Sequence, residues 1–172
     1  MSIYKEYIPQ YSEYVDHLVI QWAIIVEDVL PRVERDLTRV LRLVSKETTN
    51  HKVEKKMDRL KARILRNFST LISEFRSFIT LSYGPLFKYV QDLKDRNAKK
   101  KYTELLQRYF TGNPEKKEPP LYKQLADKVW NAKSPEEIKE AFEQFHEMLM
   151  DISGMLAEAG LFNISRAKVD IL

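Results

Sequence analysis

Residues 53–79 read VEKKMDRLKARILRNFSTLISEFRSFI, and this stretch decides the fold. Its apolar side chains return every three or four residues, which is the spacing of one face of an α-helix. The positions that share this face are Val53, Met57, Leu60, Ile64, Phe68, Leu71, Phe75 and Ile79. Elsewhere no useful length of sequence alternates between apolar and polar residues, as a half-buried strand would. The sequence therefore predicts an all-α fold.

The same spacing is found on the N-terminal side of this stretch, from Pro9 to residue 44. Its apolar positions are Val15, Leu18, Trp22, Ile25, Val29, Val33, Leu37, Val40, Leu41 and Val44. Pro31 falls inside the pattern without changing its register, although an internal proline removes a helical hydrogen bond. We therefore predict one long first helix that is kinked at Pro31, with two helices meeting there as the alternative.

Glycine and proline divide the rest of the sequence into further helices. Gly84-Pro85 is expected to end the second helix and to start a third, which covers residues 85–109 as one helix or two. Gly112-Asn113-Pro114 is a strong stop signal, and residues 120–131 form a short helix after it. Ser134-Pro135-Glu136-Glu137 then has the residue types of a helix N-terminus, with serine as the N-cap.

About five helices of this kind predict an antiparallel helical bundle. The length of 172 residues suits a single domain, residues 1–172, in which the apolar tail 161–172 is ambiguous. No apolar run approaches the roughly 20 residues that a membrane span needs. The N-terminus lacks a basic region followed by an apolar stretch, so we expect no signal peptide and a cytoplasmic location.

Catalytic and cofactor signatures are absent from the sequence. There is no cysteine, no glycine-rich phosphate loop and no serine in a strand–turn–helix elbow. Glu143 and His146 have the Glu-x-x-His spacing of di-iron bundles, but such a site needs a second copy of the motif. We therefore expect no enzyme, no metal, no cofactor and no small-molecule substrate.

The charge is segregated along the chain. Residues 32–66 carry 12 Lys or Arg against 5 Asp or Glu, whereas residues 134–160 carry 1 Lys against 7 acids. The basic residues form two stripes at helical spacing, each roughly opposite the apolar face of its own helix. The first stripe is Arg32, Arg35, Arg39, Arg42 and Lys46; the second is Lys52, Lys55, Arg59, Arg63 and Arg66.

Two interpretations of the stripes remain open at this stage. A solvated outer face is the simpler one, because any surface helix carries charges opposite its core. Alternatively, the stripes converge and bind the phosphates of DNA or RNA without reading sequence, as in an accessory or packaging subunit of a nucleoprotein assembly. No aromatic residue lies within the stripes, which argues against base stacking on single strands. Lys99, Lys100 and Lys101 are candidates to extend the basic face.

The first helix is also apolar on its back, which indicates either a central helix or a contact with another protein chain. Ile20 and Ile24 are expected on the back of the first helix, away from its core-facing residues. Tyr4, Tyr7 and Tyr11 precede them at helical spacing. Tyrosine is common at interfaces, although packing of this row onto the final helix is the simpler interpretation. The alternative function is accordingly a protein–protein adaptor or oligomer, in which the acidic residues 136–151 meet the basic stripes of a second copy.

Overall fold

A computed structural model describes residues 11–45 and 51–159 of the chain, and the side chains from residue 17 onward within these ranges. These residues form helices and no strand, with one isolated bridge between Asn113 and Glu118, so the predicted all-α class is confirmed. The α-helices are α1 (Tyr11–Ala23), α2 (Leu30–Ser45), α3 (His51–Gln91), α4 (Arg96–Leu106), α5 (Leu121–Trp130) and α6 (Pro135–Glu158). The antiparallel arrangement remains a prediction.

The first helical segment is continuous from Tyr11 to Ser45, because a π-helical turn (Ile24–Val29) joins α1 to α2. In this turn the N–H of Leu30 donates to the carbonyl of Ile25, five residues earlier. A π turn lies immediately before Pro31, whose ring cannot donate a backbone hydrogen bond. The single long helix is thus observed, whereas its kink at Pro31 stays a prediction.

Helix α3 differs from the prediction that Gly84-Pro85 ends it. The helix runs through both residues to Gln91, and Pro85 lies inside it. Leu86 and Val90 continue the buried face without a change of register, and both are fully buried. Burial of two such side chains outweighs the roughly 3 kcal/mol that an internal proline costs a helix.

Gly112 and Ser134 mark helix ends as predicted, whereas the cap before α4 is at a residue that the sequence analysis did not single out. Asp95 caps α4 by accepting a hydrogen bond from the N–H of Asn97, so the break lies at residues 92–95. A second π-helical turn (Gln107–Thr111) extends α4 to Gly112, whose φ of 72° is available to glycine but rarely to other residues. Ser134 caps α6, as predicted, by accepting from the N–H of Glu137 at 3.3 Å.

One hydrophobic core unites the described helices. Phe75 of α3 is at its centre and contacts the rings of Tyr122 and Phe145 at centroid distances of 5.3 and 5.5 Å. The hydroxyl of Tyr109 donates to Asp151, which ties the end of α4 to α6. Burial, followed by this hydrogen bond, raises the pKa of Tyr109 above its ordinary value.

None of the helices in the described ranges has the length and the apolar character that crossing a bilayer requires.

Candidate nucleic-acid interface

The first basic stripe lies on the solvent side of α2. Arg35, Arg39 and Arg42 are exposed, and Arg32 is half-buried at the start of the row. Val33, Leu37 and Val40 occupy the opposite face and are buried in the core. Lys46, the last member of the predicted stripe, lies outside the described residues.

The second basic stripe lies on the solvent side of α3. Its five members, Lys52, Lys55, Arg59, Arg63 and Arg66, are all exposed. At 1.5 Å per residue they extend over about 21 Å of the helix. Leu60, Ile64 and Phe68 bury the other side, so the amphipathic pattern predicted for residues 53–79 is present.

An ion pair connects the two helices at the level of the stripes. A guanidinium nitrogen (Nη2) of Arg63 lies 3.2 Å from Oδ1 of Asp36, whose side chain is only 3% exposed. The other carboxylate oxygen of Asp36 is buried and has no hydrogen-bond partner among the described residues. Sequence reasoning missed Asp36, although its spacing of three from Val33 and four from Val40 is that of a core position.

This contact orients the two stripes relative to each other. At about 100° per residue, Arg39 lies about 60° from Asp36 around α2, and Val33 lies about 60° away in the opposite direction. Around α3, Arg59 lies about 40° from Arg63, and Leu60 about 60° in the opposite direction. Val33 and Leu60 belong to the same core. The cations therefore lie on the same outer side of the α2–α3 pair.

We call this region the basic surface; among the described residues it comprises Arg35, Arg39, Arg42, Lys52, Lys55, Arg59, Arg63 and Arg66. Arg32 pairs instead with Asp28 of the preceding π turn. The side-chain hydrogen bond and the charge of Asp28 raise the pKa of Arg32 above its usual value.

Two carboxylates of α6, Glu143 and Glu147, lie beside α2 but on the side away from the basic surface. Glu34 lies on the opposite side of α2 and lines an open cleft together with Glu143, His146 and Glu147 of α6. Within residues 17–45 and 51–159, no ion pair joins an acidic residue of α6 to a cation of the basic surface. Arg63 is thus the one member of the basic surface with an ion pair in these ranges, and the other cations are available to an external anion.

Removal of the Arg63 side chain tests the inter-helix ion pair. We expect Arg63→Ala to lower the free energy of unfolding by about 1–3 kcal/mol, because it leaves the buried carboxylate of Asp36 without its cation. Arg59→Ala is the matched control, because Arg59 is exposed on the same helix and makes no ion pair with any residue that the structure describes. It should change stability by less than about 0.5 kcal/mol. Urea denaturation followed by circular dichroism measures both. Equal stability of the two variants would contradict the role assigned to the pair.

The residues predicted to contact a partner chain are only partly described. Tyr4 and Tyr7 lie outside the described residues, and Tyr11 begins α1 without a described side chain. Ile20 is 58% exposed, in agreement with its predicted place on the back of the helix. Ile24 differs from the prediction, because it is partly buried against the core. On an ideal helix Ile24 is about 40° closer than Ile20 to the buried Ile25.

The Glu-x-x-His motif of the sequence lies on the surface of α6. Glu143 and His146 are both exposed on α6, and the described residues contain no group of His, Asp or Glu side chains arranged to hold a metal ion.

Lys99, Lys100 and Lys101 lie on α4, which follows the C-terminal end of α3. Because about 38 Å of α3 separates Arg66 from that end, these lysines do not extend the basic surface.

No protein-family model, no curated protein and no solved structure matches this chain, and these comparisons assign it neither a family nor a function.

Proposed function

We propose that this protein binds the phosphate backbone of DNA or RNA through the basic surface, without reading sequence. In this proposal it is a non-enzymatic accessory or packaging subunit in the cytoplasm. The observation that carries the proposal is the contact between Arg63 and Asp36, which orients the cations of α2 and α3 toward one outer side. When arginine and lysine side chains neutralise the phosphates of a nucleic acid, the counterions bound there are released, and this release drives binding.

The distribution of acidic residues also supports a polyanion as the ligand. A solvated helix face commonly intersperses both signs of charge. Here Glu34 lies on the side of α2 that faces α6, and the buried Asp36 is covered by Arg63. Glu54 and Asp58 are exposed on α3, each about 100° around the helix from the neighbouring Lys55 or Arg59, so the surface is predominantly rather than purely positive. A surface with such an excess of one sign focuses its field and attracts anions from solution.

The proposal is tested by fluorescence anisotropy with labelled single-stranded oligonucleotides of two unrelated sequences. We expect both to bind at low salt with similar affinity. If about four cations contact phosphates, the affinity for a single strand should fall roughly 50-fold between about 50 and 200 mM salt. Absence of binding at low salt, or affinity that salt leaves unchanged, would refute the proposal.

A second candidate function, association with another protein chain, rests on the exposure of Ile20. An isoleucine that is 58% exposed on the back of α1 suits an apolar contact between chains. Light scattering of the protein at several concentrations separates the candidates. A mass that rises with concentration in the absence of nucleic acid favours association, and a constant monomer mass argues against self-association.

A further inference from the structure

A groove between α3 and α5 borders the basic surface. Its floor is apolar and includes Phe68, Ile72 and Val129, whereas Ser69 and Arg76 lie along its α3 side. Trp130, the last residue of α5, forms the opposite wall. The groove has a volume of about 180 Å³, comparable to a cavity of about 150 Å³ that accommodates a single aromatic ring.

Trp130 is the most exposed large apolar side chain of the described residues, at 67%, and the largest of them. Leu125 and Val129 occupy the core-facing positions of α5, and Trp130 follows them at the helix end with its side chain outside the core. An exposed tryptophan beside an apolar hollow presents a large flat surface that a ligand with a flat apolar face can cover. Arg76 on the other side of the groove is exposed and makes no ion pair within residues 17–45 and 51–159.

The groove continues the row of cations along α3. Arg59, Arg66 and Ser73 are seven residues apart, so they lie on nearly the same face of the helix, and Ser73 lines the groove. Ser69 is three residues beyond Arg66 and therefore lies beside it one turn later. Arg76 is about 15 Å beyond Arg66 along the helix axis. A phosphate chain that follows Arg59 and Arg66 is thereby brought to the groove between Arg66 and Arg76.

The ligand that combines repeated anionic groups with flat apolar faces is an unpaired strand of nucleic acid. In a duplex the faces of the bases are covered by their stacked neighbours, whereas in a single strand they are free to stack on an aromatic side chain. Such stacking tolerates any base, because every base has a π-face. It is therefore compatible with a surface that reads no sequence.

We propose that the protein prefers single-stranded nucleic acid and that Trp130 stacks on an unpaired base in the α3–α5 groove, while Arg66 and Arg76 contact phosphates on either side of it. This inference rests on the proposed function, since the strand is held by the basic surface. It revises the expectation from the sequence that base stacking is absent, because the aromatic side chain comes from a helix far away in the sequence.

The test uses the full chain with oligodeoxythymidine of about 20 nucleotides, which is longer than the site of one such binding surface. Its duplex with oligodeoxyadenosine serves as the comparison ligand. We expect Trp130→Ala to weaken binding of the single strand by roughly 5- to 100-fold and binding of the duplex by less than about 2-fold. Trp130→Phe, which keeps an aromatic face, should restore most of the lost affinity.

Tryptophan fluorescence gives a second and independent measurement, because the chain contains only two tryptophans. The other, Trp22, is partly buried and packs against Phe78 at a centroid distance of 5.0 Å. The single strand should quench the emission of the wild-type protein, and Trp130→Phe should abolish most of this quenching. Because Trp130 is exposed, its replacement leaves the core intact, and circular dichroism verifies that each variant is helical.

The outcomes separate this inference from the proposed function. If anisotropy shows binding of the single strand while Trp130→Ala has no effect and the emission is not quenched, the stacking site is refuted and phosphate binding stands. If Trp130→Ala weakens single-strand and duplex binding equally, the preference for unpaired bases is refuted. If neither ligand binds at low salt, both proposals fail.

Discussion

A variant with four reversed charges on the basic surface is expected to bind single-stranded nucleic acid about 100-fold or more weakly than the wild-type protein. The four replacements are Arg39→Glu, Arg42→Glu, Arg59→Glu and Arg66→Glu. Each removes a cation that can release counterions from the phosphate chain and introduces an anion that repels it. Arg63 is left unchanged, because a glutamate there would lie against the buried carboxylate of Asp36. Fluorescence anisotropy at low salt measures the loss.

The matched control reverses the same number of charges at the far end of α3. Its replacements are Lys94→Glu, Arg96→Glu, Lys100→Glu and Lys101→Glu, all of exposed residues at or after the break before α4. Both variants have the same net charge, so an effect of overall charge alone would appear in both. We expect the control to keep most of the affinity. Equal losses in the two variants would show that the position of the cations is irrelevant and would remove the basis for the interface.

The second large effect concerns stability. We expect Phe75→Ala to lower the free energy of unfolding by about 3–5 kcal/mol, out of a total that is typically about 5–15 kcal/mol for a domain. Phe75 is fully buried, and its ring contacts aromatic rings on three other parts of the chain, at Phe110, Tyr122 and Phe145. The substitution leaves a cavity where α3, α5, α6 and the π-helical turn after α4 meet.

Phe87→Ala is the control for this substitution, because it deletes the same side chain from the same helix at a position that is 44% exposed. We expect it to lower the free energy of unfolding by less than about 1 kcal/mol. Urea denaturation followed by circular dichroism compares the two variants. A similar loss in both would mean that Phe75 is not at the centre of the core.

The features that could be predicted from the sequence are those that depend on positions within one helix. The spacing of residues 53–79 determines which side of α3 is buried, so the exposure of Arg59 and Arg66 followed from the apolar pattern. The cap at Ser134 is also local, since serine bonds to an N–H within the first turn. The prediction that Gly84-Pro85 ends the helix was wrong, because tertiary packing maintains the helix through these local breakers. Leu86, directly after them, is fully buried.

The features that could not be predicted depend on which helices are neighbours. The spacing of Asp36 suggests a core position, but only the packing of α2 against α3 reveals Arg63 as its partner. Trp130 is outside every basic stripe in the sequence, and the contact of α5 with α3 brings it to the groove beside Arg76. The partial burial of Ile24 likewise reflects its place at the edge of the buried face of the first helical segment.

The central claim is that cations from α2 and α3 contact one nucleic-acid ligand together. The most direct measurement is the slope of the logarithm of affinity against the logarithm of salt concentration, for the wild type and for the variants Arg39→Ala, Arg59→Ala and their combination. We predict that each single variant lowers the magnitude of the slope for a single strand by about 0.7 and that the combination lowers it by about twice as much. A slope that stays at the wild-type value in either single variant would contradict the claim, because the helix concerned would then make no contact with the phosphates at that residue.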